Sequence, residues 1–260
     1  NSRTGVPITV ACGITNPDYM VVEAAISSLW MKAGGVMKTY VPDIAMITSI
    51  GSTHQRDIHQ TAILKSRIAE GMNNQGTVVL NRDMNEFETV YQTVSQYNKN
   101  IITYGFHEES HSFIKSFEET RDSSRITANI LGEEIKVTTQ LSGKAMAQNV
   151  VGVLTIVKLL DIPLSSVLEK LKSYQPNKGV QNIKSHQTHK GTNYTVINDS
   201  WNAVGISMIE GIETLNYKSQ FYKGRKIAVL GRLMDLKKEE IKPQHEAIAK
   251  VLIDNNIDLV

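Results

Sequence analysis

The chain has 260 residues, 41% of them hydrophobic, which is enough apolar material for one large domain or two smaller ones. Its 28 basic and 26 acidic side chains leave a net charge of +2, so the strong basic field of a nucleic-acid-binding protein is absent. No run of residues approaches the ~20 apolar positions of a membrane span. A single cysteine, Cys12, leaves no internal disulfide and fits a reducing, cytoplasmic compartment.

Short apolar runs alternate with helical patterns along the first two thirds of the chain. The predicted strands cover residues 19–23, 43–50, 76–81 and 101–104. The predicted helices cover about residues 57–73, 86–97, 144–160 and 164–174. Residues 125–140 predict a hairpin that turns near Gly132. This alternation predicts α/β layers around a mostly parallel, doubly wound sheet.

A loop-like composition at residues 176–179 predicts a domain boundary near residue 182. Beyond it, the predicted order is a strand at 194–198, a helix at about 204–216, a strand at 226–231, a helix at about 238–255 and the start of a strand at 257–260. We therefore expect a central domain over residues 1–182 and part of a smaller, Rossmann-like α/β domain over residues 183–260. The missing initiator Met and the half-made last strand predict truncation at both ends.

Polar residues follow several predicted strands, at the sheet edge where parallel α/β folds bind ligands. Glu23 ends an apolar run, and His54 follows a strand and a glycine turn at Gly51. Either side chain could bind a divalent metal or orient a phosphate. Lys65 lies on the next helix, where most lysines are simply solvated. The competing interpretations are a solvated carboxylate for Glu23 and a structural histidine for His54.

Two further polar stretches also directly follow predicted strands. Asn81 and Asp83 follow the strand GTVVLN, where they could bind a base edge or cap the next helix. Asp199 and Asn202 flank Ser200 and Trp201 between a strand and a helix, and Trp201 adds an aromatic face. From residue types alone, helix capping is the stronger interpretation of both stretches. The sequence contains no GxxxxGK[ST] phosphate loop, GxGxxG, HExxH, paired CxxC or GxSxG motif.

Four stretches, taken in order, resemble the Mur ligase family. Within it, they resemble the branch that adds D-alanyl-D-alanine to the cell-wall precursor, the MurF type. The stretches are NSRTGVPIT at residues 1–9, PDIAMITSIGSTH at 42–54, KSRIAEG at 65–71 with the GTVVLNRD that follows, and NDSWNA at 198–203 with Ser207 and Met208. Together they span nearly the whole chain.

The resemblance implies an ATP-dependent, Mg²⁺-dependent ligase that forms an amide through an acyl phosphate. The implied substrates are a UDP-linked muramyl peptide and D-alanyl-D-alanine, in peptidoglycan precursor synthesis. Glu23 and His54 would match the Glu and His that organise magnesium. Lys65 would match the lysine that is carbamylated in many members and helps to hold a second Mg²⁺. The resemblance therefore implies a catalytic metal site built from these three residues.

The resemblance also implies a nucleotide site. Asn81 and Asp83 would lie toward adenine, and Asn149 would match the last Asn of G-x-H-N-x-x-N. Asp199 and Asn202 would face the nucleotide and the incoming amine. Both domains would thus contribute residues to one nucleotide.

Several positions depart from the family pattern. Ala145 and Met146 replace its His-Asn pair, and Val180 stands where an arginine is frequent. Arg232 and Lys237 interrupt the G-D-M-x-E-L-G pattern, and the phosphate loop is absent from this sequence. We therefore expect this chain to be inactive by itself. Two alternatives stay open: a paralogue that joins another amino acid or makes a cyanophycin-like polymer, and a non-catalytic homologue that binds a nucleotide or a partner.

Overall fold

The computed structural model describes residues 4–13, 17–29, 35–52, 56–233 and 236–260. Its α-helices are α1 (Gly5–Cys12), α2 (Ile26–Leu29), α3 (Ile58–Ser66), α4 (Phe87–Ser95), α5 (Lys144–Leu159), α6 (Leu164–Ser173), α7 (Gly205–Ser219) and α8 (Lys238–Asp254). Its strands are β1 (Ile44–Ile47), β2 (Thr77–Asn81), β3 (Asn100–Gly105), β4 (Ser112–Glu119), β5 (Ser124–Ile130), β6 (Glu133–Thr139), β7 (Asn182–Gln187) and β8 (Asn193–Asn198).

Within the described residues, β1 to β6 form one sheet in which each strand pairs with its neighbour in sequence. Strands β1 to β4 run parallel to one another, and β4, β5 and β6 continue as an antiparallel meander. The parallel pairing of β3 with β4 is short and joins Tyr104 to Ser112 and Gly105 to Phe113. The sheet is therefore mixed, and its parallel part brings the carboxyl ends of β1, β2 and β3 to one edge.

Helices cover both faces of the parallel part of the sheet. Successive side chains of a strand point to opposite faces, so the apolar strand residues require a covering helix on each face. On one face, Ile47 and Leu80 pack with Ala62 of α3 and Val90 of α4. On the other face, Val79 packs in the cluster that contains the buried side of α5. This arrangement confirms the predicted α/β layers and explains why the three central residues of β2, Val78, Val79 and Leu80, are all apolar and fully buried.

Helix α5 lies very close to the sheet. Its Val151 and Leu154 are fully buried, and Gly152 faces the Tyr104 ring and the Met46 side chain. A Cβ atom at Gly152 would lie 2.8 Å from Tyr104 Cζ and 2.3 Å from Met46 Cε. A glycine at this position therefore lets α5 approach β3, which carries the residues of α5 toward the sheet edge where the polar residues gather.

The C-terminal part has a smaller core. Ile212 of α7 and Ile248 of α8 pack with Leu233 in a cluster of partly buried neighbours. Strands β7 and β8 form a separate antiparallel pair whose side chains are mostly exposed. The predicted division at residue 182 falls where this second sheet begins, and it stays a prediction.

Three strand predictions differ from the structure. Residues 19–23 belong to no strand, and Val21 is 95% exposed. Residues 226–231 and 257–260 contribute one parallel bridge, Ile227 to Leu259, in place of two strands. In the part of the chain that the structure describes, these segments lack the neighbouring strands that would extend the pairing. An apolar run supplies β-propensity, but only a paired neighbour makes it a strand.

Other differences concern elements without a strong apolar pattern. The sequence did not predict α1, β4 or β7, and β4 carries the sheet from parallel to antiparallel pairing. The helix predicted over residues 57–73 ends at Ser66 and gives way to a short 3₁₀ turn at Ala69–Gly71. A Cβ atom on Gly71 would lie 2.6 Å from Met37 Cβ, so the chain turns where a glycine permits close packing. No helix among the described residues has the length and apolar character needed to cross a membrane.

Candidate functional site

Asn81 ties the ends of β1 and β2 together. Its Nδ2 donates to the carbonyl oxygen of Thr48, 3.0 Å away, and its Oδ1 accepts a hydrogen bond from the Asp83 N–H at 3.0 Å. The residue is only 5% exposed. Because both ends of the amide are engaged by the backbone, Asn81 shapes the sheet edge and leaves little of itself for a ligand.

Asp83 joins β2, β3 and α5 at the same edge. Its Oδ2 accepts from the Phe106 N–H at 2.6 Å and from Gln148 Nε2 at 2.7 Å. Gly105 makes room for this carboxylate, because a Cβ there would lie 2.3 Å from Asp83 Oδ2. Gly105 also has φ +148°, a conformation that favours glycine. The Asp83 side chain is thus fixed in position at the carboxyl end of the parallel strands.

Helix α5 brings two amide side chains to this region. Gln148, held by Asp83, and the predicted nucleotide residue Asn149 are adjacent and half-buried. An amide whose nitrogen donates to Asp83 presents its oxygen as the free acceptor. The α5 end of the site therefore offers hydrogen-bonding groups even though Ala145 and Met146 offer none through their side chains.

A shallow cleft of about 450 Å³ opens beside Asp83, between Arg82, His107 and the first turn of α4. Two of its charged side chains, Arg82 and Glu86, have polar partners. Arg82 contacts Glu109 at 2.6 Å, and Glu86 accepts from Thr89 Oγ1 at 2.7 Å. The hydrogen bond from Thr89 and that from His59 lower the pKa of Glu86. The cleft therefore extends the polar edge of the sheet.

Lys65 is held against the loop that follows β1. It lies near the end of α3, and its Nζ donates to the carbonyl oxygen of Ser49, just beyond β1, at 2.9 Å. Burial lowers the pKa of Lys65 below its ordinary value. The neutral amine, the form that can react with carbon dioxide, is consequently more accessible than for a solvated lysine. Lys65 thus differs from the solvated lysine of the competing interpretation.

The predicted metal residues are only partly described. Glu23 lies in the irregular segment before α2 and is exposed, and His54 lies outside the described residues. Among the residues that the structure does describe, no three His, Cys, Asp or Glu side chains converge as metal ligands do. The assignment of Glu23, His54 and Lys65 to magnesium therefore stays a prediction.

The loop after β8 is held by the loop before β7. The Trp201 N–H donates to the carbonyl oxygen of Gly179 at 2.9 Å, and the Gln181 N–H donates to Asp199 Oδ1 at 3.2 Å. Trp201 is nevertheless 77% exposed, and Asn202 is exposed as well. The backbone of this loop is thus fixed while its aromatic side chain remains accessible.

Two carboxylates near this loop have raised pKa values. Partial burial raises the pKa of Asp199, although the Gln181 N–H opposes the shift. Burial first, and then the neighbouring charges of Glu213 and Asp199, raise the pKa of Glu210 to about 7. Glu210 therefore titrates near neutral pH beside a predicted nucleotide residue.

The loop after β1 meets the C-terminal part directly. Ser52 Oγ donates to Glu240 Oε1 at 2.8 Å, and Lys237 Nζ lies 3.4 Å from Asp57 Oδ2. The sequence did not single out Gln148 or Glu240. Gln148 could have been found, since it precedes Asn149 on a predicted helix beside the altered motif. The contact of Glu240 depends on tertiary packing over 188 positions and leaves no sequence signal.

The comparisons with known proteins identify the family. Residues 1–157 match the family model for the Mur ligase middle domain. The chain belongs to the Mur ligase family. This match covers more than half of the chain and includes all six strands of the main sheet. It confirms the family resemblance on which the residue assignments depend.

Individual relatives come from the MurF branch. The chain is 26% identical, over its whole length, to a UDP-N-acetylmuramoyl-tripeptide–D-alanyl-D-alanine ligase from Buchnera aphidicola subsp. Baizongia pistaciae, and it covers 55% of that protein. The fold is similar to that of MurF from Acinetobacter baumannii, with a TM-score of 0.73 over 86% of this chain and 47% of that one, at 19% identity. MurF ligase from Thermotoga maritima in complex with ADP gives a TM-score of 0.72 over 94% of this chain and 55% of that one, also at 19% identity. The chain thus spans about half the length of these relatives.

Proposed function

We propose that the protein with this sequence is an ATP-dependent ligase that joins a carboxylate of a UDP-linked muramyl peptide to an amine. D-alanyl-D-alanine is the first candidate amine, because it is named for the Buchnera relative. The observation that carries the proposal is the position of Lys65, a partly desolvated lysine at the carboxyl end of β1 in a Mur ligase middle domain. The use of ATP and UDP-linked substrates would place the reaction in the cytoplasm.

The proposed reaction has two steps. A carboxylate oxygen of the peptide takes the γ-phosphoryl group of ATP, which yields an acyl phosphate and ADP. The amine nitrogen then attacks the acyl carbon, phosphate leaves with the C–O bond electrons, and the nitrogen loses a proton to give the amide. Both steps gather negative charge, so the protein must provide opposing charges in advance.

The side chains proposed to hold Mg²⁺ fit its chemistry once Lys65 is modified. Magnesium prefers oxygen ligands, and a carbamate on Lys65 would add carboxylate-like oxygens to those of Glu23. The lowered pKa of Lys65 favours the neutral amine that carbamylation requires. Bound magnesium supplies positive charge that offsets the phosphates. We propose Glu23, His54 and Lys65 as its protein ligands.

The nucleotide is proposed to lie between α5 and the loop after β8. The Thermotoga relative was crystallised with ADP, which makes an adenine nucleotide the first ligand to test. Asn81 and Asp83 would shape the base side of the site, with Asn149 beside them. Asp199 and Asn202 would approach from the C-terminal part. Closure of the two parts would keep water from the acyl phosphate.

ADP release by the full-length protein tests the proposal. The assay contains ATP, Mg²⁺, UDP-muramyl tripeptide and D-alanyl-D-alanine, and each component is omitted in turn. We expect ADP release that requires all four. Release that accepts only a different amino acid would reassign the amine and remove the cell-wall role. No release with any carboxylate and amine would support the alternative of a non-catalytic homologue.

A further inference from the structure

The positive charge of the chain is concentrated in one segment. Residues 170–198, which lie between Glu169 and Asp199, contain five lysines, two histidines and no Asp, Glu or Arg. With the histidines neutral, this basic segment carries a net charge of +5. The whole chain has +2, so all its other residues together carry −3. The basic segment comprises the end of α6, the loop after it and the β7–β8 hairpin.

The lysines of the basic segment face solvent on an ordered backbone. All five are exposed, and only Lys172 forms an ion pair among the described residues, with Glu169 at 2.6 Å. The Asn182 side chain is hydrogen-bonded to the backbone of the loop before β7. At the hairpin turn, the Thr188 N–H donates to the Thr192 carbonyl oxygen at 2.9 Å. Four lysines are therefore available to an external anionic partner.

One face of the hairpin combines cations with exposed apolar groups. Lys184 lies opposite Val196 across the two strands, and His186 lies opposite Tyr194. Because side chains alternate along a strand, these four share one face, and the half-buried Ile183 lies on the other. Tyr194 is 48% exposed and Val196 is 38% exposed. We call the surface formed by Lys184, His186, Tyr194 and Val196 the hairpin face.

The lysines are spread along the segment and do not converge on one point. Strand β7 has six residues, which corresponds to a length of about 20 Å. Lys178 precedes this strand, Lys184 lies on it, and Lys190 lies in the turn beyond it. A small anion could contact only one or two of these side chains, whereas an extended anionic surface could interact with all of them. The spacing therefore favours an extended partner.

We propose that the hairpin face and the lysines beside it bind the surface of a bilayer that contains anionic lipids. This inference goes beyond the proposed ligase function and does not depend on it. An anionic bilayer attracts each nearby lysine without requiring a fixed geometry. Tyrosine rings are favoured at the boundary between headgroups and acyl chains, and lysine stems can cover apolar surface while the ammonium stays in water. The hairpin face offers both kinds of group together.

A nucleic acid fits the same residues less well. Bidentate recognition of phosphates and base edges favours arginine, and the basic segment contains lysine only. Single-stranded nucleic acids stack their bases on aromatic rings. On the hairpin face, the Tyr194 ring is already stacked with His186, with ring centroids 5.5 Å apart and an angle of 25° between the ring planes. The ring is thus partly covered on the side that a base would need.

Sedimentation of the full-length protein with vesicles tests the proposal. One set of vesicles contains phosphatidylcholine alone, and the other contains about 30% phosphatidylglycerol to supply negative charge. We expect at least about tenfold tighter binding to the anionic vesicles at low salt. An ionic strength of about 1 M should remove most of this binding, because the Debye length falls to about 3 Å. Equal binding to the two sets, or binding to neither, would overturn the proposal.

The variant K184Q/K190Q locates the binding surface. Its matched control is K242Q/K250Q, which removes two lysine charges from exposed positions on α8 and lowers the net charge by the same amount. A lysine near an anionic bilayer contributes about fivefold to the affinity. We therefore expect K184Q/K190Q to bind the anionic vesicles about 25-fold more weakly, and the control to stay within about twofold of the wild type. Equal losses in the two variants would overturn the proposal.

The variant Y194S tests the apolar part of the hairpin face. It keeps every charge but removes the ring, so we expect severalfold weaker binding to the anionic vesicles. Binding equal to that of the wild type would contradict a role for this face. Melting curves and ADP release without vesicles should match the wild type in Y194S and in K184Q/K190Q, which would show that both variants are folded. If the wild type releases no ADP, the ligase function fails, whereas the vesicle comparison still decides this inference.

Binding of an oligouridine at the same salt concentration, measured by fluorescence anisotropy, distinguishes a nucleic acid from a lipid surface. We expect weak binding that the anionic vesicles displace. Tighter binding of the oligouridine than of the vesicles, with a loss in K184Q/K190Q, would assign the basic segment to a nucleic acid and overturn the proposal.

Discussion

The sheet region at residues 44–173 and the C-terminal part at residues 182–260 present their polar groups differently. In the sheet region, helices cover both faces of the parallel strands, and core residues such as Leu80 and Leu154 are fully buried. The C-terminal core is smaller, and the β7–β8 pair is largely exposed. The sheet region therefore holds its polar side chains in place, whereas the C-terminal part leaves more of its side chains accessible to solvent.

The candidate site follows this division. Asp83 is held by the Phe106 N–H and by Gln148, and Lys65 is held by Ser49. By contrast, Trp201 is 77% exposed on a loop whose backbone alone is fixed. Under the proposed function, the rigid groups would position phosphate and the accessible groups would meet the amine. The comparison can be sharpened by substitutions in each region.

The largest effect is expected at Lys65, at the rigid side of the site. K65A should lower kcat/KM at least about 100-fold, because under the proposed function it removes the carbamate that helps to hold Mg²⁺, and a bound metal supplies several kcal/mol of transition-state stabilisation. Excess bicarbonate should not restore the activity, since the acceptor amine is gone. Steady-state ADP release by the full-length protein measures the change.

The matched control is K65R, which retains a cation near the Ser49 carbonyl but cannot form the stable carbamate. We expect it to be as inactive as K65A, with the same melting temperature as the wild type. Wild-type rates in either variant would refute the metal-site assignment of Lys65.

The next effect concerns stability in the two cores. L154A should lower the free energy of unfolding by about 3 kcal/mol, because it leaves a cavity in a fully enclosed site. I248A should cost about 2 kcal/mol, because the partly buried neighbours of Ile248 can relax around it. Urea unfolding monitored by circular dichroism gives both values. A larger loss for I248A would contradict the contrast between the two cores.

A smaller effect is expected at Asp83. D83N removes the charge from two hydrogen bonds and should lower the free energy of unfolding by about 1–2 kcal/mol. The KM for ATP should rise as α5 loses its anchor. The exposed residue Asn202 is the control, and N202A should change stability by less than about 0.5 kcal/mol. An equal loss in the free energy of unfolding of D83N and N202A would show that Asp83 stabilises the fold no more than a surface residue does.

The smallest effect is a pH dependence at Glu210. Its pKa is about 7 in the folded protein against an ordinary value of 4.5, so the folded state retains a proton that the unfolded state releases. The contribution of Glu210 to the free energy of unfolding is fully present below about pH 4.5, and it is lost as the pH rises through about 7. After allowance for solvent screening, the loss is about 1–2 kcal/mol.

E210Q should remove that loss. The variant should be as stable as the wild type at pH 4 and more stable at pH 8, as urea titrations at the two pH values would show. The exposed residue Glu246 on α8 supplies the control E246Q, which should keep the wild-type pH dependence. A wild type with equal stability at both pH values would contradict the assigned pKa of Glu210.

Apolar periodicity predicted the parts of the fold that carry a strong local signal. The strand ending at Asn81 and the helices at α5 and α8 lie where the sequence predicts them, within one or two residues. Strand β4 escaped prediction because its buried residues are mixed with charged ones such as Lys115 and Glu118. Residues 19–23 were predicted wrongly because an apolar run reports propensity but not pairing.

Site residues that follow a predicted strand were easier to predict from the sequence than residues that reach the site from distant segments. Asn81, Asp83 and Lys65 could be chosen because they follow strands or match a family motif, and the structure holds them at one sheet edge. Gln148 and Glu240 come from distant segments, and only packing brings them to the site. The roles of Glu23, His54 and Lys65 toward magnesium remain predictions.

The central claim is that this domain activates a carboxylate as an acyl phosphate, and oxygen transfer tests it most directly. The full-length protein would be given a peptide labelled with ¹⁸O in the reacting carboxylate, with ATP, Mg²⁺ and the amine. If the carboxylate is phosphorylated, one labelled oxygen per turnover will appear in the inorganic phosphate, as mass spectrometry can detect. Amide formation with unlabelled phosphate would contradict the acyl phosphate and, with it, the proposed function of the site.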